Sequence, residues 1–111
     1  VNNIDEVQKV LDTWNASNIG MRANLEYDGD EMILRIIVDA EFTRVARRSS
    51  RRISRAHAPR AINHPNVQSL QRLLSVLNIE CSMISIEDDR IRDNNISKFL
   101  LRYALRLGTQ K

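Results

Sequence analysis

On either side of an Asp28-Gly29 pair, the chain switches between apolar and polar at almost every residue. Ile19, Met21, Ala23, Leu25 and Tyr27 alternate with Gly20, Arg22, Asn24 and Glu26. A period of two means a strand with one dry and one wet face. Asp and Gly both tolerate positive φ, so the pair predicts a tight two-residue turn. The returning strand, about 31–39, sets Met32, Leu34, Ile36 and Val38 on one face and Ile33 and Ile37 on the other. Apolar residues on both faces predict a strand inside a sheet or covered on both sides.

Helical periods flank this hairpin. Asn3 and Glu6 have capping-box spacing, and Ile4, Val7, Leu11 and Trp14 then recur at three- and four-residue steps until about Asn15. Val67, Leu70, Leu73, Leu74 and Leu77 predict a second core helix that Asn78 closes. Residues 79–86 read as a strand of imperfect alternation. Ile79, Cys81 and Met83 share one face and Ile84 and Ile86 the other, before a turn at Glu87-Asp88-Asp89-Arg90.

A third core helix is expected after Asp93 or Asn94. It has Ile96, Phe99, Leu100, Tyr103, Ala104 and Leu107 at helical spacing, and Gly108 at the C′ position. Lys98, Arg102 and Arg106 form a basic row on it. Leu101 and Leu105 widen its apolar face, as burial in a thicker core or in a homodimer would require.

The fold class that follows is α+β. A small, mainly antiparallel sheet (hairpin 19–39 plus strand 79–86) packs against three core helices, with an added basic helix or loop at 41–57. Residues 7–30 and 67–90 share a helix-then-strand plan, with Val7/Val67, Gln8/Gln68, Asn18/Asn78, Ile19/Ile79 and Asp28/Asp88 identical at one offset. These few identities fit two similar helix–strand units better than a duplication. The expected order is similar to that of type II KH domains. Their Gly-x-x-Gly clamp is absent where His57-Ala58-Pro59-Arg60 stands, so no family is assigned.

At 111 residues the chain suits a single domain, 1–111, able to bury a core without staples. It begins on Val1 rather than Met and has no basic-then-apolar leader, as expected of a processed chain or of a domain excised from a larger protein. No apolar run approaches the roughly 18–20 residues that cross a bilayer. The only cysteine, Cys81, lies in an apolar stretch and is expected to be a buried, unreactive thiol. A lone cysteine fits an intracellular setting, cytoplasmic or nuclear.

The charge is uneven. The whole chain carries a net +3, yet residues 41–60 hold seven arginines (Arg44, Arg47, Arg48, Arg51, Arg52, Arg55 and Arg60) against one acid, Glu41. The remainder is net acidic. Phe42, Val45, Ala46, Ser49, Ile53 and Ala56 fall at helical steps, which predicts a basic amphipathic helix ending before Pro59. Arginines four residues apart repel by a few tenths of a kcal/mol per pair, about 0.2–0.5 each. A loop that orders on a polyanion is therefore the competing reading.

No catalytic chemistry emerges. His57 and His64 have no cysteine or carboxylate beside them and read as surface loop residues, not metal ligands. The acids of the hairpin tip (Asp28, Asp30, Glu31) and of 87–89 read as solvated turns, a divalent-ion site arising only if the two loops met. Three isolated glycines cannot make a phosphate loop. Ser50 and Ser54 lie in Arg-Arg contexts that resemble substrates of basophilic kinases, and phosphates there would cancel part of the patch.

The expectation is a non-enzymatic binding module without cofactor or metal, engaging RNA or DNA phosphates through Arg44, Arg47, Arg48, Arg51, Arg52, Arg55 and Arg60. Forked guanidinium donors suit phosphate. The alternative is a protein-interaction or oligomerisation domain of a larger assembly, with the same arginines facing an acidic partner surface or, less favourably, anionic lipid.

Overall fold

The computed structural model describes residues 3–43, 58–90 and 96–107. Its elements are α1 (Asn3–Ser17), β1 (Met21–Asp28), β2 (Glu31–Asp39), a 3-10 turn (Ala40–Thr43), α2 (Ala58–Ile62), α3 (Pro65–Val76), β3 (Ile79–Arg90) and β4 (Ile96–Leu107). The fold is α+β. All four strands are antiparallel, in the order β1-β2-β4-β3. Among the described residues, no helix is long and apolar enough to cross a membrane.

The helices lie on one face of the sheet. Val7, Leu11 and Trp14 of α1 and Val67, Leu70 and Leu74 of α3 pack with Met21, Ala23, Leu34, Ile36, Val38, Phe99, Leu101, Tyr103 and Leu105. Leu73, expected in the α3 stripe, is instead 45% exposed. The Trp14 indole donates to the Asn66 carbonyl at 3.0 Å and so ties α1 to the start of α3.

The hairpin forms as its alternation predicts, with two adjustments. The strand begins at Met21, leaving Ile19 88% exposed. Asp28 opposes Glu31, so the turn residues are Gly29 and Asp30, and only Gly29 has positive φ, at 63°. One positive φ at the first turn position fits type II′ instead of the type I′ turn for which an Asp-Gly centre is suited. As expected, β2 lies inside the sheet.

The last element corrects the sequence reading. Residues 96–107 form β4, not a third core helix. As a central strand β4 carries apolar residues on both faces. Phe99, Leu101, Tyr103 and Leu105 face the helices, while Leu100 and Ala104 face the other way. A run apolar at both parities also satisfies a helical period, and periodicity alone cannot separate the two. The two extra leucines thus point into the core of the same chain.

β3 is longer than expected, and Glu87, Asp88 and Asp89 are strand residues paired with Leu100, Phe99 and Lys98, not a turn. A register shift between Met83 and Ser85 leaves Ile84 as an extra residue, which returns Ile86 to the core side opposite Leu101. This bulge explains the broken alternation. The first helix also starts at Asn3 itself instead of after it. The basic helix or loop read at 41–57 begins as the 3-10 turn; its remainder, 44–57, lies outside the described residues.

Two α-β-β units build the molecule, α1-β1-β2 and α3-β3-β4, with β2 meeting β4 at the centre. The registers correspond: Met21↔Val38 and Ala23↔Ile36 in the first unit match Cys81↔Leu105 and Met83↔Tyr103 in the second. The same correspondence carries Arg35 onto Arg102. These two residues also oppose each other across β2 and β4, so an approximate two-fold axis passes between them. The helix–strand likeness seen at the sequence level therefore extends to a whole helix and hairpin.

At the edge strand β1, Asn15 of α1 receives the Ala23 amide at 2.7 Å and donates to the Ala23 carbonyl at 2.9 Å. The side-chain amide thus occupies backbone groups that an open edge would offer to another chain. Asn15→Ala is expected to cost about 1–3 kcal/mol by leaving these groups unpaired, read as a lower urea midpoint. Tyr103 offers the opposite case. Its hydroxyl is buried without a hydrogen-bond partner, and burial, followed by the nearby Cys81 thiol, pushes its pKa up to about 12. The Gln71 side chain opposes that shift without meeting hydrogen-bond geometry. Tyr103→Phe is expected to raise stability by about 1 kcal/mol, since only an unpaired buried group is removed.

Candidate anion-binding face

The sheet face turned away from α1 and α3 is covered by no helix among the described residues. Directly opposed residues of antiparallel strands point to the same side, so the register states which side chains share this face. Asn24 opposes Arg35, Arg35 opposes Arg102, and Arg102 opposes Ser85, giving one polar line across all four strands. The adjoining lines are Arg22, Ile37, Leu100 and Glu87 on one side and Glu26, Ile33, Ala104 and Ser82 on the other. Lys98, between Asp39 and Asp89, ends the face.

Two guanidiniums therefore stand side by side on the central strands. Like charges directly opposite destabilise a sheet unless something offsets them. Glu26 does so in part: its carboxylate lies 3.4 Å from Arg102 and 3.8 Å from Arg35. All three side chains are about a third exposed, at 30–38%, and the two contacts are long. Glu87, which opposes Leu100 as Glu26 opposes Ile33, is a second carboxylate beside the arginine line. The Arg102 Nε–H and the Ser85 hydroxyl are also buried without a hydrogen-bond partner. Beneath them Ile33, absent from the main core, is only 2% exposed. With no helix above it, it is covered by its neighbours on the sheet, whose arginine stems can lie over apolar surface.

Beside this line, a cavity of about 180 Å³ is lined by Arg35, Ile37, Leu100, Lys98, Glu87 and Asp89. A larger depression of about 420 Å³ at the same sheet end is bordered by Ile19, Arg22, Asp39 and Lys98. Both combine charges of either sign with aliphatic surface.

Of the seven arginines expected to bind nucleic acid, Arg44, Arg47, Arg48, Arg51, Arg52 and Arg55 lie outside the described residues, and Arg60 is exposed on α2. The 3-10 turn ending at Thr43 packs against α2, which starts at Ala58. The arginine segment thus leaves and re-enters the described structure at one corner. Arg35 and Arg102 are the residues that sequence reasoning missed. Arg102 belonged to the basic row with Lys98 and Arg106, and even-numbered residues of a strand share a face just as these would on a helix. Arg35 signalled itself only as a charge interrupting an otherwise apolar strand.

The two acidic groups do not meet. Asp28, Asp30 and Glu31 lie at the hairpin tip, while Asp89 sits opposite Lys98, beside Asp39 at the far end of β2. Among the described residues, no cluster of three His, Cys, Asp or Glu side chains could hold a metal. Burial pushes the Cys81 thiol up to about 11, so it is protonated near neutrality. No protein-family model, curated protein or solved structure matches the chain.

His57 lies outside the described residues. His64 serves the fold by capping α3, with Nδ1 accepting from the Asn66 amide at 3.1 Å and Pro65 following in the first turn. Partial burial lowers its pKa from the usual 6.5. The unfolded chain therefore takes up this proton first, and protonation would also remove the acceptor. The stabilisation is complete above about pH 6.5 and declines as pH falls toward the folded-state pKa. His64→Asn, which can cap without titrating, is expected to lose less stability on acidification. Urea midpoints at about pH 7.5 and about pH 5.5 would check this.

Proposed function

We propose that this chain is a non-enzymatic binding module for a polyanion, RNA or DNA, engaged through Arg44, Arg47, Arg48, Arg51, Arg52, Arg55 and Arg60. The observation that carries this reading is the density of guanidiniums between residues 44 and 60, with no acid among them, in a chain otherwise net acidic. Several forked donors attached at one corner suit the repeated phosphates of a nucleic-acid backbone. An amphipathic surface on the uncovered sheet face favours a second reading, an interaction or oligomerisation domain. Ile37 and Leu100 are only half-buried on the uncovered sheet face, between charges of both signs.

Fluorescence-anisotropy titration of labelled RNA and DNA oligomers separates the two. Micromolar or tighter binding at low salt is expected. With four to six phosphates engaged, the slope of log K against log salt should be about −3 to −5. Replacing Arg47, Arg48, Arg51 and Arg52 with Ala should abolish most of it. No binding at low salt would overturn the polyanion reading in favour of a protein partner.

A further inference from the structure

We propose that Arg35, Arg102 and Ser85 form a seat for one phosphate group at the centre of the uncovered sheet face, a second contact for the polyanion assigned to the arginine segment. The inference rests on that reading for its ligand, but its geometry comes from other residues.

Three features of the seat point to an oxyanion. Arg35 and Arg102 oppose each other in register, so their guanidiniums share one small area on the two central strands. Glu26 supplies a single carboxylate to both, at 3.8 and 3.4 Å, distances beyond those of a close ion pair. Unused donors remain: the Arg102 Nε–H and the Ser85 hydroxyl have no partner, and Ser85 opposes Arg102 in register. A phosphate has enough oxygens to accept from both guanidiniums and the hydroxyl together. A structural ion pair alone would not leave an enclosed guanidinium N–H and an unpaired hydroxyl beside each other.

The position also suits an extended ligand. β2 runs from Arg35 to Asp39 and passes through the 3-10 turn to Thr43, where the arginine segment begins. At about 3.3 Å per residue, Arg35 lies about 13 Å from the end of its strand. That span corresponds to a few phosphates along a single nucleic-acid strand.

Glu26 competes with the ligand for the same guanidiniums, which makes it the sharpest variant. Glu26→Gln is expected to tighten RNA binding about threefold, an increase that damage to the fold cannot imitate. Arg35→Gln with Arg102→Gln should weaken binding about tenfold at low salt and make the salt slope shallower by about 0.7, one phosphate's share on a single strand. In the intact chain, nitrogen–proton NMR should show the Arg102 Nε–H resonance moving saturably with inorganic phosphate and again with an RNA oligomer. No movement with phosphate, or unchanged affinity in all these variants, would overturn the seat. Movement with phosphate while RNA binds without moving it would assign the seat to a free anion and overturn its link to the polyanion. Movement with phosphate and no RNA binding at all would leave the seat standing and remove the reading in the preceding section.

Discussion

The antiparallel pairing of β2 with β4 is the interaction on which the remaining architecture depends. Each α-β-β unit is nearly self-contained in its local contacts, with a helix leading into a hairpin. Neither unit closes a core alone, because a two-stranded hairpin under one helix leaves its inner strand open along one edge. Joining β2 to β4 removes both open inner edges at once. It also aligns Leu34 with Tyr103 and Ile36 with Leu101 beneath the two helices. The outer edges are handled differently, by the Asn15 amide on β1 and by the Ile84 bulge in β3.

That pairing also accounts for the uncommon chemistry of the uncovered face. When two similar units meet about an approximate two-fold axis, residues near the axis face their own counterparts. Arg35 and Arg102 are such counterparts, and the symmetry sets two cations side by side where a sheet would ordinarily place opposite charges. By register the counterpart of Glu26 in the second unit is Glu87, which opposes Leu100 as Glu26 opposes Ile33; the plain sequence offset would name Ile86, but the bulge inserts one residue. The symmetry thus sets the two arginines together at the centre and one glutamate of each unit, Glu26 and Glu87, on either side of them.

Much of the fold is legible from local pattern. Strand β1, α1 and α3 each bury one face, and burial of one face imprints a period on the sequence. β4 reads as a helix because a strand buried on both faces loses that imprint: Leu100 and Ala104 against the wet side fill in the helical positions. The acidic end of β3 reads as a turn for a related reason. Glu87, Asp88 and Asp89 have the composition of a loop, yet they pair with β4, and at the sheet edge Glu87 and Asp89 stay exposed on the uncovered face. The lone cysteine is only partly buried, packed against the edge of the core instead of inside it, because it lies on the edge strand β3.

The sequence by itself determined the elements whose signal lies within a dozen residues: the alternating hairpin, the two amphipathic helices, and the dense arginines of 44–60. Tertiary structure alone decided which strands are neighbours, that 96–107 is extended, and that Arg35 meets Arg102 across 67 positions of sequence. Register between distant strands is a collective outcome, fixed by which apolar faces can be buried together. No residue on either strand carries that information alone. The run of arginines was visible at once because its members are neighbours in the chain; the central pair became visible only when two units folded against each other.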